Sequence, residues 1–228
     1  MYSHDAFISY SHAADGALAP ILESGLERLA RPTFRLRAID VFRDQTSLSA
    51  SPGVWTSIVD HLAGSRWFVL LASPASAASP WCQKEVLWWL EHHGTERLLI
   101  ALTDGQLFWD AQRSDFDWTR TDAMAPGLRG RFGEEPLYVD LRWARALDRP
   151  TARDPRLRSA LLDLAAPIRG VPKDQLDGDD VRQLRRTRWL FRSGALAITL
   201  AAAVAVWQAV EATAQRRLAE AERERALS

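Results

Sequence analysis

The run Trp67-Phe68-Val69-Leu70-Leu71-Ala72, preceded only by Arg66, carries no polar side chain. It is too short for a typical helix, and a strand that is apolar at every position has both of its faces covered. That excludes a half-solvated antiparallel sheet and predicts a parallel sheet between two layers of helix. The rest of the chain supplies the layers. Ala6-Phe7-Ile8-Ser9-Tyr10-Ser11 reads as a first strand ending in a polar turn, and Asp15 to Arg31 as an amphipathic helix through Leu18, Ile21, Leu22, Leu26 and Leu29, closed by Pro32. Ile39 to Phe42 is a second strand, and Arg43 to Gly53 a polar loop ending Ser51-Pro52-Gly53. Val54 to Ala63 is helical, Ser73 to Ser79 a loop of small residues, and Ser79-Pro80 opens another helix. Arg97 to Leu102 and Leu137 to Leu141 are the remaining strands, and Leu157 to Ile168 is a closing helix. Gly105 to Glu135 shows no regular pattern. Alternating strands and helices of this kind make an α/β doubly wound sheet, with functional loops at the carboxyl ends of the strands.

Composition bounds the partners. The 228 residues are 47% hydrophobic and 25% charged with a formal net charge of zero, so nothing points to nucleic acid. A single cysteine, Cys82, rules out an internal disulfide and fits a reducing compartment. Residues 1–170 are expected to form the folded domain, with a charged linker over 171–188. Ser193 to Val210 contains no charged residue. With Trp189 to Phe191 included it approaches the roughly 20 apolar residues that a bilayer requires. The arginines at 182, 185, 186, 188 and 192, with Trp189 and Trp207 near the two ends, favour a single transmembrane helix over 189–210 with the N-terminal domain in the cytoplasm. A charged helical tail, 211–228, follows.

The helix opened by Ser79 and Pro80 carries the strongest chemical candidate. Trp81, Glu85 and Trp88 recur at i, i+4 and i+7. A carboxylate between two indoles is partly desolvated, which favours its neutral form, and indole faces can take a flat cationic ring. The competing reading is a solvated carboxylate among core tryptophans. Cys82 has no paired histidine and is expected to be a small buried residue. His92 and His93 lie at a helix end, without further groups at zinc-ligand spacing. Ser9 and Ser11 lack a hydrolase nucleophile's glycine setting.

Phe7-Ile8-Ser9-Tyr10-Ser11 followed by Asp15, Val41-Phe42-Arg43-Asp44 with its loop to Pro52-Gly53, and Ser79-Pro80-Trp81-Cys82 with Glu85 resemble, in order, the boxes of a bacterial Toll/interleukin-1 receptor (TIR) domain. The resemblance covers Ser3 to Ile168. It implies a flavodoxin-like sheet of five parallel strands in the order 2-1-3-4-5. It also implies one of two activities: cleavage of NAD+ at the nicotinamide–ribose bond, switched on by self-association, or non-enzymatic association with other TIR domains in signalling. Under the first, the family's catalytic glutamate maps onto Glu85, and NAD+ is a substrate, with no cofactor or metal required. Ser9, Tyr10 and Ser11 match the pocket floor, and Trp81 lies in the catalytic Trp-Cys-x-x-Glu context. Arg43 and Asp44 begin the loop expected to close over substrate, with Ser49, Pro52 and Gly53 its contact with a neighbouring subunit. The order Arg43-Asp44 departs from the family's usual Asp-Arg. By charge, Arg43 is the nearest candidate for pyrophosphate; its alternative is a surface pair with Asp40 or Asp44.

Overall fold

The apolar runs become five parallel strands. The computed structural model describes residues 2–29, 39–43, 53–147, 151 and 154–177. Its strands are β1 (His4–Ser9), β2 (Val41–Arg43), β3 (Ser65–Ala72), β4 (Leu98–Leu102), β5 (Trp109–Asp110), β6 (Asp115–Phe116) and β7 (Tyr138–Asp140). Its helices are α1 (His12–Asp15), α2 (Ala19–Arg28), α3 (Val54–Ala63), α4 (Pro74–Ala78), α5 (Pro80–His93) and α6 (Pro155–Arg169). The main sheet runs β2-β1-β3-β4-β7, every pairing parallel, which is the order expected with β7 as the fifth strand.

Strand alternation divides the core. Ala6, Ile8, Val69, Leu71 and Ala101 face α2 and α6, while Phe7, Phe68, Leu70, Ala72, Ile100 and Leu102 face α3 and α5. Both faces are therefore apolar, as the Trp67–Ala72 run requires. The same period of two puts Ser9 on the Phe7 face, toward α5. Gly25 lets α2 approach α6 closely: a Cβ there would stand 2.5 Å from a Leu161 methyl.

Several boundaries differ from expectation. The helix expected over Asp15 to Arg31 begins only at Ala19, and a separate short helix, α1, ends where it was expected to start. A continuous helix would drive the Pro20 ring against the Gly16 carbonyl, so α1 ends at Asp15 and α2 restarts with Pro20 in its first turn. The small-residue loop Ser73 to Ser79 contains α4, opened by a capping box between Ser73 and Ser76. The irregular stretch 105–135 holds the β5–β6 hairpin, where Phe116 meets Trp109 and Trp118 edge-on. Past Gly170, Leu176 is buried against the α6 side of the core, and Lys173 and Asp177 bond to Asp163 and Arg158 of α6. Among the described residues the folded unit extends through Asp177. No helix among the described residues is long and apolar enough to cross a membrane, and the span proposed over 189–210 lies outside them.

Candidate functional site

The strand order reverses between β1 and β3, and ligands of open α/β sheets bind at the carboxyl edge of such a switch point. Ser9 and Ser73 stand at that edge, closing β1 and following β3. Helix α5 covers it. Ser79 starts the helix, accepting a hydrogen bond from the Cys82 N–H at 3.4 Å, and Pro80 fills the first turn. The buried positions of α5 are Cys82, Glu85, Val86, Trp89 and Leu90, spaced i, i+3, i+4, i+7 and i+8. Glu85 is thus a carboxylate within the apolar stripe, and only 5% of it is exposed. The Ser9 hydroxyl donates to Glu85 Oε2 at 2.5 Å.

Around this pair the chemistry is closed off. Cys82 is buried, and burial, reinforced by the negative charge of Glu85, pushes its thiol up to about 11, which removes it as a nucleophile at neutral pH. Arg43, at the end of β2, donates to Glu23 Oε2 at 2.8 Å and to the Tyr10 hydroxyl at 2.9 Å. Burial opposes its charge, but the bonds to Glu23 and Tyr10 together hold its pKa above the ordinary arginine value. Tyr10 in turn stacks on the His12 ring at 4.6 Å. The carboxyl edge near β1 therefore presents a buried acid, an aromatic pair and a cation fixed by its own acid.

Comparison with known proteins gives the family. The sequence profile of the TIR domain matches residues 6–129. The chain belongs to the TIR domain family. The NAD(+) hydrolase ApTIR of Actinoplanes sp. is 52% identical over 201 residues, covering 87% of this chain. The chain spans only 27% of that relative's length. Among solved structures, the TIR domains of the activated Roq1 resistosome recognising the effector XopQ align at 21% identity, over 46% of this chain and 60% of theirs, with a TM-score of 0.36. A TIR-STING receptor from C. gigas in complex with 2',3'-cGAMP aligns at 19% identity, over 70% of this chain and 40% of its own, with a TM-score of 0.40.

Within this TIR domain the expected residues are placed as follows. Ser9 and Glu85 touch. Tyr10 and Arg43 form a neighbouring cluster, and Ser11 caps α1 through its backbone, its carbonyl accepting from Asp15 N–H at 2.7 Å. Gly53 opens α3 with φ of +100°, a conformation that suits glycine alone, whereas Asp44, Ser49 and Pro52 lie outside the described residues. Trp81 and Trp88 are half-buried against the core, and each has a ring partner of its own. Trp81 lies 6.2 Å from Trp55 and takes Lys84 over its face at 5.2 Å, so its cation–π partner is the chain's own lysine. Trp88 stacks on His92 at 4.0 Å. The stripe centred on Cys82 and Trp89, not the Trp81–Trp88 row, is the one that turns inward. Arg43 pairs with Glu23 rather than with Asp40, which accepts from His4 instead. His93 departs from the expected helix-end cation: burial first, then His92 and Arg97, lower its pKa.

A cavity of about 890 Å³ opens between β4, β7 and α6, lined by Leu99, Tyr138, Val139, Trp143 and Arg156 among others. It shares no residue with the Ser9–Glu85 pair. The candidate site rests on its chemistry: the carboxylates lining this hollow, Asp140 and Asp163, are exposed and paired with Arg142 and Lys173, whereas Glu85 is buried. Sequence reading assigned no role to Asp15, Ser73 and Thr103, which are buried, or to the partly exposed Arg145, with which they form a second polar cluster on the same sheet edge. Asp15 follows Ser11 at helix-cap spacing, but Arg145 lies 130 positions away and leaves no local signal.

Proposed function

We propose that this TIR domain cleaves NAD+ at the nicotinamide–ribose bond, with Glu85 as the catalytic carboxylate. The observation that carries the reading is the burial of Glu85 at the switch-point edge, with its orientation fixed by Ser9. The relative named as an NAD(+) hydrolase, at 52% identity, supports it. Nicotinamide leaves as a neutral molecule, taking the electron pair of the broken C–N bond, so no general acid is needed. Positive charge develops on the ribose and is stabilised by one negative group held in a water-poor setting. Water then takes the vacated carbon and releases a proton, giving ADP-ribose. Such preorganised charge is worth roughly 10²–10³ in rate.

In this reading Ser9, Tyr10 and Ser11 form the floor, Trp81 lies on the same helix as Glu85, and Arg43 with Asp44 meets the rest of the dinucleotide. The loop carrying Ser49, Pro52 and Gly53 completes the site against a second copy, so specific activity rises with protein concentration. The uncharged stretch 193–210 anchors the domain to a membrane. Detergent-free fractionation tests the anchor: the full chain sediments with membranes, and recovery in the soluble fraction after alkaline washing contradicts it. Incubation with NAD+ across a range of protein concentrations tests the activity. Nicotinamide release by the wild type and not by Glu85→Gln supports it. Unchanged NAD+ at high concentration, with association intact, leaves the non-enzymatic association reading in its place.

A further inference from the structure

A second carboxylate is buried even more deeply than Glu85 and plays no part in the chemistry above. Asp15, the last residue of α1, is 1% exposed. Its Oδ1 accepts from Arg145 Nη2 at 2.9 Å and its Oδ2 from the Ser73 hydroxyl at 3.3 Å. Arg145 lies in the 3-10 turn Arg142–Ala146 after β7, and its Nε donates to the Thr103 carbonyl at 2.7 Å. One ion pair therefore gathers the segments that follow β1, β3, β4 and β7. Burial raises the Asp15 pKa more than its bonds to Thr103, Arg145 and Ser73 lower it, so the charge is carried at a cost to stability.

The cluster borders both halves of the Ser9–Glu85 contact. On one side, the Asp15 N–H donates to the carbonyl of Ser11, two residues beyond Ser9. On the other, Ser73 caps α4 through reciprocal bonds with Ser76, and α4 passes through Ser79 into the first turn of α5, one turn before Glu85. Cys82, in that turn, feels the charges of both Glu85 and Asp15. We propose that the Asp15–Arg145 ion pair is a positioning clip: it holds the end of β1 and the start of α5 in register, so that Ser9 and Glu85 meet. Its effect on rate rests on the NAD+-cleaving reading. Its effect on the first turn of α5 does not.

The lone cysteine makes that turn observable, because Cys82 is buried and reacts with a thiol reagent only when the turn opens. The full chain is compared with Asp15→Asn, with Arg145→Lys, and with Leu164→Ala, a cavity variant on the opposite face of the sheet. Global stability of each is measured by urea unfolding. The clip predicts Cys82 labelling at least about tenfold faster in Asp15→Asn and Arg145→Lys than in Leu164→Ala at equal or smaller loss of stability. It also predicts kcat for NAD+ cleavage lowered by about tenfold or more, with KM within about twofold. Labelling at the wild-type rate, or rising only in proportion to lost global stability, overturns the proposal. So does an unchanged kcat in both variants of an active wild type. A wild type that leaves NAD+ intact refutes the enzymatic reading alone, and the Cys82 rates still decide the clip.

Discussion

Replacing Ser9 with alanine removes one hydroxyl from a site that is 1% exposed, and nothing else. The lost group donates at 2.5 Å to a carboxylate that water hardly reaches. A hydrogen bond to a charged group contributes about 1.5–3 kcal/mol, and a buried acceptor stripped of a donor retains its full desolvation cost. Ser9→Ala is therefore expected to lower stability by about 1.5–3 kcal/mol, a factor of roughly 10 to 150 in the folding equilibrium. With a urea m-value of about 2 kcal/mol/M, the midpoint falls by roughly 0.7–1.5 M. Tryptophan fluorescence follows the transition, since Trp89 is fully buried beside the site's helix face. The decisive form is a double-mutant cycle with Glu85→Ala, because partners in one contact do not add. In the Glu85→Ala background the hydroxyl has lost its acceptor, and Ser9→Ala should cost under about 0.5 kcal/mol beyond its small packing loss. An equal cost in both backgrounds would refute the Ser9–Glu85 bond, and with it the geometry on which the functional reading stands.

Two further outcomes concern single side chains. Trp89 is fully buried, packs on Phe68 and His93, and its indole N–H has no partner among the described residues. Trp89→Phe relieves an unsatisfied donor worth about 1–3 kcal/mol while opening a small cavity of similar cost, so urea unfolding should shift by less than about 1 kcal/mol; a loss above about 3 kcal/mol would show the donor to be bonded. Asp15 and Asp140 should pull stability in opposite directions as pH falls. The hydrogen bond from Arg142 depresses the Asp140 pKa, so its contribution is present above the unfolded value of 3.8 and fades below it, and as a half-exposed pair it is worth under about 1 kcal/mol. Burial raises the Asp15 pKa, so the folded state takes up that proton first, and wild type should gain stability relative to Asp15→Asn as pH falls from 7 toward 4. A wild type that loses ground to Asp15→Asn over that range would contradict the sign.

Much of the fold was legible because it is periodic. The Trp67–Ala72 run specified a sheet covered on both faces, and Ser79-Pro80 marked the start of α5 at the residue where it begins. Local stereochemistry accounts for the misread boundaries: Pro20 delays the start of α2 to Ala19, and Ser73 with Ser76 opens a helix too short to show an apolar period. At the site, the wheel position of Glu85 was readable and its surroundings were not. Glu85 lies on both the Trp81–Trp88 row and the Cys82–Trp89 stripe, and only packing against the sheet decides which row turns inward. Arg43 shows the same limit, since its partner Glu23 stands 20 residues earlier on α2 and leaves no local signal. Asp15 and Arg145 mark where pattern ends, for two residues brought together by the strand order carry no spacing.

The central claim is that the buried carboxylate of Glu85 stabilises the ribose cation as nicotinamide departs. It is tested most directly by single-turnover nicotinamide release, at saturating NAD+ and high protein concentration, from the wild type and from Glu85→Gln, with the fold of each confirmed by its unfolding midpoint. The account predicts release by the wild type and a fall of roughly 10²-fold or more in Glu85→Gln at matched occupancy. Release at the wild-type rate from a folded Glu85→Gln protein would contradict it.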